Sequence, residues 1–295
     1  MSAADAGALV FTGERFTPEC VREMWLEHWH RYVFALPFAR DKRVLDAACG
    51  EGYGAALLAH TARHVTGADL AEDALAHARA RYSAQHNLEF VHADATRLER
   101  FADASFDLVV SFETLEHLHA HDELLAGFAR VLAPSGLLIV STPDKRIYSD
   151  ATGYRNEFHV RELYRAEFEA LLTRHFAAHH LFGQKLLFQS VLFDLGAATA
   201  RARVTTMPAG RGLPVEGLAY EPVYLLAVAA HSAEALPDLA GISDWFGDAQ
   251  ESVYAHYANE IRQNIAAGGV LAAHEVEIAR LKQRLRDAGI DPDLS

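Results

Sequence analysis

Between residues 43 and 145, short apolar segments alternate with helical ones, and this alternation limits the chain more than any other feature. "RVLDAACG" (43–50) leads into "YGAALLAHTA", and "HVTGADL" (64–70) into "AEDALAHARARYSAQ". "LEFVHADA" (88–95) follows, then "FDLVVSF" (106–112) with the helical "LEHLHAHDELLAGFARVL", then the turn "APSG" and "GLLIVSTP" (136–143). Each strand candidate is apolar on both faces, as in a parallel sheet covered by helices on both sides. The expected architecture is therefore α/β and doubly wound, with ligands meeting the carboxyl ends of the strands.

Three of those ends carry chemistry. "VLDAACGEGYG" puts Gly50, Gly52 and Gly54 at a strand-to-helix turn, where backbone must fold tightly and approach a ligand. Asp69 ends the second strand, where an acid can accept the hydroxyls of a ribose. Asp94 ends the third, where a carboxylate can accept from an exocyclic amine. A G-x-G-x-x-G dinucleotide loop is absent; the pattern is D-x-x-C-G-x-G-x-G, with Asp46 inside the strand.

"VLDAACGEGYG", "GADL", "HADA" and "FDLVVSFETLEHL" together resemble the successive motifs of class I S-adenosylmethionine-dependent methyltransferases. The resemblance covers residues 43 to about 145 and implies a seven-stranded Rossmann-like sheet over about 41–235, with an insertion near 189–221. It also implies that Asp46, Ala47, Gly50 and Gly52 border the methionine moiety and that Asp69 takes the ribose. Leu70 would lie against the adenine, Asp94 and Ala95 would read its edge, and Ser111 and Phe112 would close the cofactor side. "TGERFTPE" (12–19) and "EHWHRYVFAL" (27–36) resemble the lead-in of methyltransferases encoded with surface-polysaccharide genes. That likeness implies a helical lid over residues 1–40, with Arg15 and Arg31 pairing with the methionine carboxylate, a group arginine holds bidentately.

"SFETLEHLHAHDE" (111–123) follows the fourth strand at the same crevice. Read as a helix, Glu113, Glu116 and His117 fall at i, i+3 and i+4 and share a face. Two carboxylates and an imidazole suit Mg²⁺ or another divalent ion. E-x-x-E-H with a later histidine resembles metal-dependent O-methyltransferases of ubiquinone biosynthesis and the enzymes that methylate the 3′ ends of small RNAs. In them the later histidine completes the metal site, and His159 stands in the corresponding place. Without a metal, His117 or His159 would be the general base, since imidazole titrates near neutral pH. His119 and His121 read as solvated helix positions.

Beyond the core, "NEFHVRELYRAEFEALLTRHF" (156–176) reads as a helix, and "HHLFGQKLLF" (179–188) and "PVYLLAVAAH" (222–231) as strands. A helical tail is expected over 244–288, broken at Gly268 and Gly269. Its second half carries a heptad-like stripe of Leu271, His274, Ile278, Leu281 and Leu285, through which two copies could pair.

Composition narrows the partners. A net charge of −13 opposes binding to nucleic acid, which needs clustered lysine and arginine, and favours a small-molecule or saccharide substrate. Cys20 and Cys49 are too few for a disulfide framework, no apolar run reaches a membrane span, and "MSAADAGALVFTGERF" lacks the parts of a signal peptide, so a cytoplasmic protein is expected. The leading reading is an O-methyltransferase of a sugar or glycan precursor. The rivals are methylation of a catechol or quinone-type phenol, methylation of another small molecule at nitrogen, and a cofactor-binding assembly module without turnover.

Overall fold

The computed structural model describes residues 23–192, 203–207 and 213–291. Residues of the chain up to Phe246 form one compact unit and those from Gly247 another.

In the first unit, α1 (Glu23–Ala39) precedes β1 (Arg43–Ala47), α2 (Tyr53–Leu58), β2 (His64–Asp69), α3 (Glu72–Arg81), β3 (Leu88–His92) and β4 (Phe106–Phe112). A 3₁₀ turn (Leu115–His117) then leads to α4 (His121–Val131), β5 (Leu132–Pro143), a π turn (Arg146–Asp150), α5 (Arg165–His175) and β6 (Ala178–Gln184). A two-residue hairpin of β7 (Thr205–Thr206) and β8 (Val215–Glu216) lies within the expected insertion, and β9 (Tyr224–Ala230) closes the main sheet.

The main sheet has seven strands in the order β3-β2-β1-β4-β5-β9-β6. Strands β1 to β5 pair in parallel, while β9 runs antiparallel to both β5 and β6. The two-residue period of a strand sends neighbours to opposite faces, and both faces are covered. Leu45, Val109, Leu138 and Val140 pack with Leu124, Leu125 and Phe128 of α4 and Phe168, Leu171 and Leu172 of α5. Val44, Leu108, Val110 and Ile139 pack with Phe34 and Ala35 of α1, Leu58 of α2 and Leu75 of α3. Each such side chain, fully buried, contributes about 1.5–3 kcal/mol, so the apolar runs decide the layers.

Several expectations change. The expected lid falls in two parts: residues 1–22, with Arg15, lie outside the described residues, and α1 is a structural layer of the sheet. "APSG" is not a separate turn, because β5 runs through it, with a register shift between Phe106 and Leu108. The helix expected over 156–176 covers only Arg165–His175. Glu167 accepts a hydrogen bond from the Tyr164 N–H (2.9 Å) and so caps it, while the preceding residues are drawn into the cleft.

In the second unit, α6 (Ser252–Asp287) starts later than expected and runs unbroken through Gly268 and Gly269. Two glycines cost about 1 kcal/mol each, and the alanine-rich turns around them carry the helix across. Leu271, Ile278, Leu281 and Leu285 stand exposed along it. Among the described residues, no helix is long and apolar enough to cross a membrane.

Candidate active site

The glycine turn is built by close approach. Gly52 takes φ +75°, and a Cβ there would meet the Phe90 ring at 2.3 Å. A Cβ on Gly54 would fall 1.9 Å from the Tyr32 ring, so α2 can reach α1 only because this residue has no side chain. Below the turn, Asp46 is fully buried and accepts from the Tyr32 hydroxyl (3.2 and 3.3 Å). Burial pushes its carboxyl up to about 8, against the pull of the Tyr32 bond and with help from nearby Asp69.

Asp69 fixes the turn to the next strand: Oδ2 accepts from Gly50 N and Oδ1 from Ala71 N, both at 2.8 Å. Leu70 beside it is exposed. Asp94 turns its Oδ1 back to Thr96, accepting from the backbone N–H (2.9 Å) and the hydroxyl (2.7 Å). Ala95 packs against the core, Ser111 is buried and donates to Thr114 Oγ1 (3.2 Å), and Phe112 meets the Tyr32 ring edge-on at 4.8 Å. Asp46, Ala47, Gly50, Asp69, Asp94, Ser111 and Phe112 thus sit at the ends of β1 to β4, or just past them, along one edge of the sheet.

The second cluster differs from its sequence reading. No α-helix carries Glu113, Glu116 and His117. Glu113 takes a left-handed φ of +52°, and only the three-residue turn Leu115–His117 follows. Its carboxylate therefore leaves the other two, accepts from the Ser141 hydroxyl (2.7 Å) and lies 3.6 Å from the Arg31 guanidinium. Glu116 points inward, 1% exposed, and accepts from the Thr142 hydroxyl (3.2 Å). Burial, and then the charge of Glu113, holds its carboxyl well above the usual range.

His159 arrives from a distance. The backbone N–H groups of Val160 and Arg161 donate to the Glu116 carbonyl (2.7 and 3.0 Å), which pins residues 156–164 over the turn. Glu116, His117 and His159 can then each offer a donor atom within 4.8 Å of the others. His117 donates from Nδ1 to the Phe158 carbonyl (3.0 Å), and His159 from Nδ1 to Glu162 (2.6 Å). Both imidazoles thereby keep Nε2 as an acceptor, the tautomer metal-binding histidines use, and that of His159 accepts from Asn156. His159 Nε2 faces the Asn156 amide at 3.0 Å, and Tyr148 of the π turn stacks on its ring at 5.3 Å. So three of the four expected ligands converge and Glu113 does not.

His119 is exposed, as expected, but His121 is buried. It donates from Nε2 to the Leu115 carbonyl (2.8 Å), locking the 3₁₀ turn to α4, and burial pushes its pKa down. Arg31 is also buried, 1% exposed. Its Nε donates to Gln184 Oε1 (2.8 Å) and its guanidinium lies 4.5 Å over the Tyr224 ring, so its partners are Glu113, Gln184 and Tyr224.

Sequence reasoning missed Tyr32, Ser141, Thr142, Tyr148, Asn156, Glu162 and Gln184. Asn156 and Glu162 flank His159 at three residues on either side, a spacing that could have marked them. The others sit in ordinary helix and strand patterns that carry no such mark.

The methyltransferase domain family matches residues 45–140. A probable S-adenosylmethionine-dependent methyltransferase of Mycobacterium tuberculosis is 40% identical over 174 residues, 58% of this chain and 62% of that protein. The chain thus covers less than two thirds of that relative's length. A ubiquinone biosynthesis O-methyltransferase of Aromatoleum aromaticum is 35% identical over 102 residues, 34% of this chain and 44% of that protein. The YcgJ protein of Bacillus subtilis shares the fold, with a TM-score of 0.51 over 70% of this chain and 100% of its own, at 18% identity. The match over residues 45–140 thus falls on the glycine turn, on the acids at the ends of β1 and β2 and just past β3, and on the parallel strands of the sheet, as in a methyltransferase domain.

Proposed function

We propose that the protein transfers a methyl group from S-adenosylmethionine to a hydroxyl of a sugar or glycan precursor, assisted by a divalent cation. The observation that carries this reading is the convergence of Glu116, His117 and His159 beside the strand ends that would hold the methyl donor. The ubiquinone relative is itself named for O-methylation, which favours oxygen over nitrogen as the acceptor.

On the cofactor side, Asp69 would accept the ribose hydroxyls on the lone pairs its backbone partners leave. Asp94, whose Oδ1 is tied to Thr96, would read the adenine edge with Ala95. Asp46, Ala47, Gly50 and Gly52 border the methionine, Leu70 supplies an apolar rim, and Ser111 and Phe112 close the wall.

The three donors suit a divalent cation, because the buried Glu116 carboxyl lies 4.0 Å from His117 Nε2 and both imidazoles have their Nδ1 protons committed to other groups. Mg²⁺ or Mn²⁺ bound there would lower the pKa of a substrate hydroxyl. Thr142, Glu162 and the Phe158 carbonyl orient the donors, and Tyr148 stacks on the His159 ring. In the transfer, the hydroxyl gives up its proton to solvent, its oxygen bonds the methyl carbon, and the carbon–sulfur pair returns to sulfur. A metal-free reading rests on the same tautomer: with Nδ1–H held by Phe158, His117 Nε2 can take the hydroxyl proton. The exposed apolar residues of α6 support pairing of two copies through that helix, and a cytoplasmic setting fits a chain with only two cysteines.

Methyl-labelled S-adenosylmethionine, offered with neutral oligosaccharides and with catechol, with and without EDTA, tests this reading. Transfer to a saccharide hydroxyl that EDTA abolishes is expected. Transfer only to catechol, or to no hydroxyl at all, would overturn it.

A further inference from the structure

Along α6, Leu271, His274, Ile278, Leu281 and Leu285 recur at steps of three and four on one face, and all five are exposed. We propose that this face docks a second copy of the chain running antiparallel to it, in the register that sets Ile278 against the partner's Leu281. The inference rests on the pairing through α6 stated above and adds its direction and register. With Ile278 so placed, His274 meets the partner's Leu285 and Leu271 the partner's Ala288, and two-fold symmetry repeats each contact.

Charge complementarity chooses this arrangement. Glu275 and Lys282 flank the apolar seam on one side, and Glu277 and Arg284 on the other. In antiparallel helices like flanks meet, so Glu275 faces the partner's Lys282 and Glu277 the partner's Arg284, each contact occurring twice. Glu277 also accepts from Nε and Nη2 of Arg280 in its own chain, both at 2.8 Å, so the partner's Arg284 joins a carboxylate that is already held.

The alternatives lose these contacts. Sliding one helix by seven residues sets Glu275 against the partner's Glu275 and Glu277 against the partner's Glu277. The opposite slide sets Lys282 against the partner's Lys282 and Arg284 against the partner's Arg284. Like charges facing each other are costly, so the flanks fix the register. A parallel pair in register keeps only the contact of Glu277 with the partner's Lys282. It also turns Glu275 toward the partner's Val270 and stacks His274 on the partner's His274. An anionic membrane is a poorer cover, because Glu275 and Glu277 border the apolar face.

Light scattering of the full chain at low ionic strength, over a concentration series, tests the proposal. The wild-type chain should dimerise, and added salt should weaken the dimer. Glu275→Lys should weaken dimerisation at least about tenfold, because it turns two attractive contacts repulsive. Adding Lys282→Glu to that variant should restore the antiparallel dimer, whereas in a parallel pair it would set Glu277 against the new carboxylate. Circular dichroism should show the same helix content in all three proteins. A wild-type chain that stays monomeric, undiminished pairing by Glu275→Lys, or no recovery in the double variant would overturn the proposal. So would a monomer that sediments with phosphatidylglycerol vesicles. Removal of the chain from residue 267 onward separates the two readings. A dimer that survives the truncation defeats pairing through α6 altogether. A dimer lost on truncation but not recovered by the double variant keeps that pairing and defeats the antiparallel register.

Discussion

The two halves of the cleft are made differently. The half proposed for the cofactor gathers Asp46, the glycine turn, Asp69 and Asp94 from or just past consecutive strands, each next to its own motif in the chain. The other half is assembled across long separations: Glu116 with Val160 and Arg161, His117 with Phe158, and Arg31 with Gln184, which lies 153 residues away. A half built from adjacent strand ends repeats across a family, because the parallel sheet delivers those ends to one edge regardless of what surrounds them. A half built from distant segments can change its chemistry without disturbing the first, which is where a substrate is chosen.

If that division holds, damage to each half should have its own signature. The largest effect is expected from His117→Ala, which should lower methyl transfer about 10²–10⁴-fold, the usual worth of a positioned acid–base or metal-binding imidazole. Cofactor affinity, read by calorimetry, should barely move; a parallel loss of both would merge the halves.

Asp46 sharpens the comparison by pH. Its folded carboxyl is raised from the ordinary 3.8 to about 8, so the folded chain keeps a proton that the unfolded chain gives up. Stability of the cofactor-free protein should therefore fall as pH rises through that window, by at most about 4 kcal/mol between pH 5 and 8. Asp46→Asn should flatten the dependence of Tm on pH, and an unchanged slope would mean that the carboxyl is ionised in place.

Gly54→Ala should come next, costing about 1–3 kcal/mol as the added methyl drives into the Tyr32 ring. A melting temperature equal to wild type would show that α1 does not press on the turn. Smallest is removal of the chain from residue 267 onward, which should leave S-adenosylhomocysteine affinity unchanged while light scattering falls from a dimer mass to a monomer mass. An unchanged mass would take assembly away from α6.

The same division explains what was legible beforehand. The alternating apolar runs and the motifs at their ends were enough for the sheet and for placing Asp46, Asp69 and Asp94 at its strand ends or just past them, since periodicity is local. The donor cluster was half legible. Glu116, His117 and His159 could be named, but not the left-handed turn at Glu113, which arises because the chain must leave β4 for Ser141 and Arg31. His121 misled for a related reason: polar spacing suggested solvent, while its Nε2 was needed to tie down the Leu115 carbonyl. The helix runs through Gly268 and Gly269 because the alanine-rich turns on either side outweigh the local signal for a break.

The most direct test crosses the two halves. Asp69→Ala and Glu116→Gln would each be titrated with S-adenosylhomocysteine by calorimetry and with Mn²⁺ by electron paramagnetic resonance. Asp69→Ala should lose about 2–4 kcal/mol of S-adenosylhomocysteine affinity and keep its Mn²⁺ binding, and Glu116→Gln should do the reverse. If wild type binds no Mn²⁺, or if Glu116→Gln weakens S-adenosylhomocysteine as much as Asp69→Ala does, the cleft is not divided between a methyl donor and a metal-held acceptor.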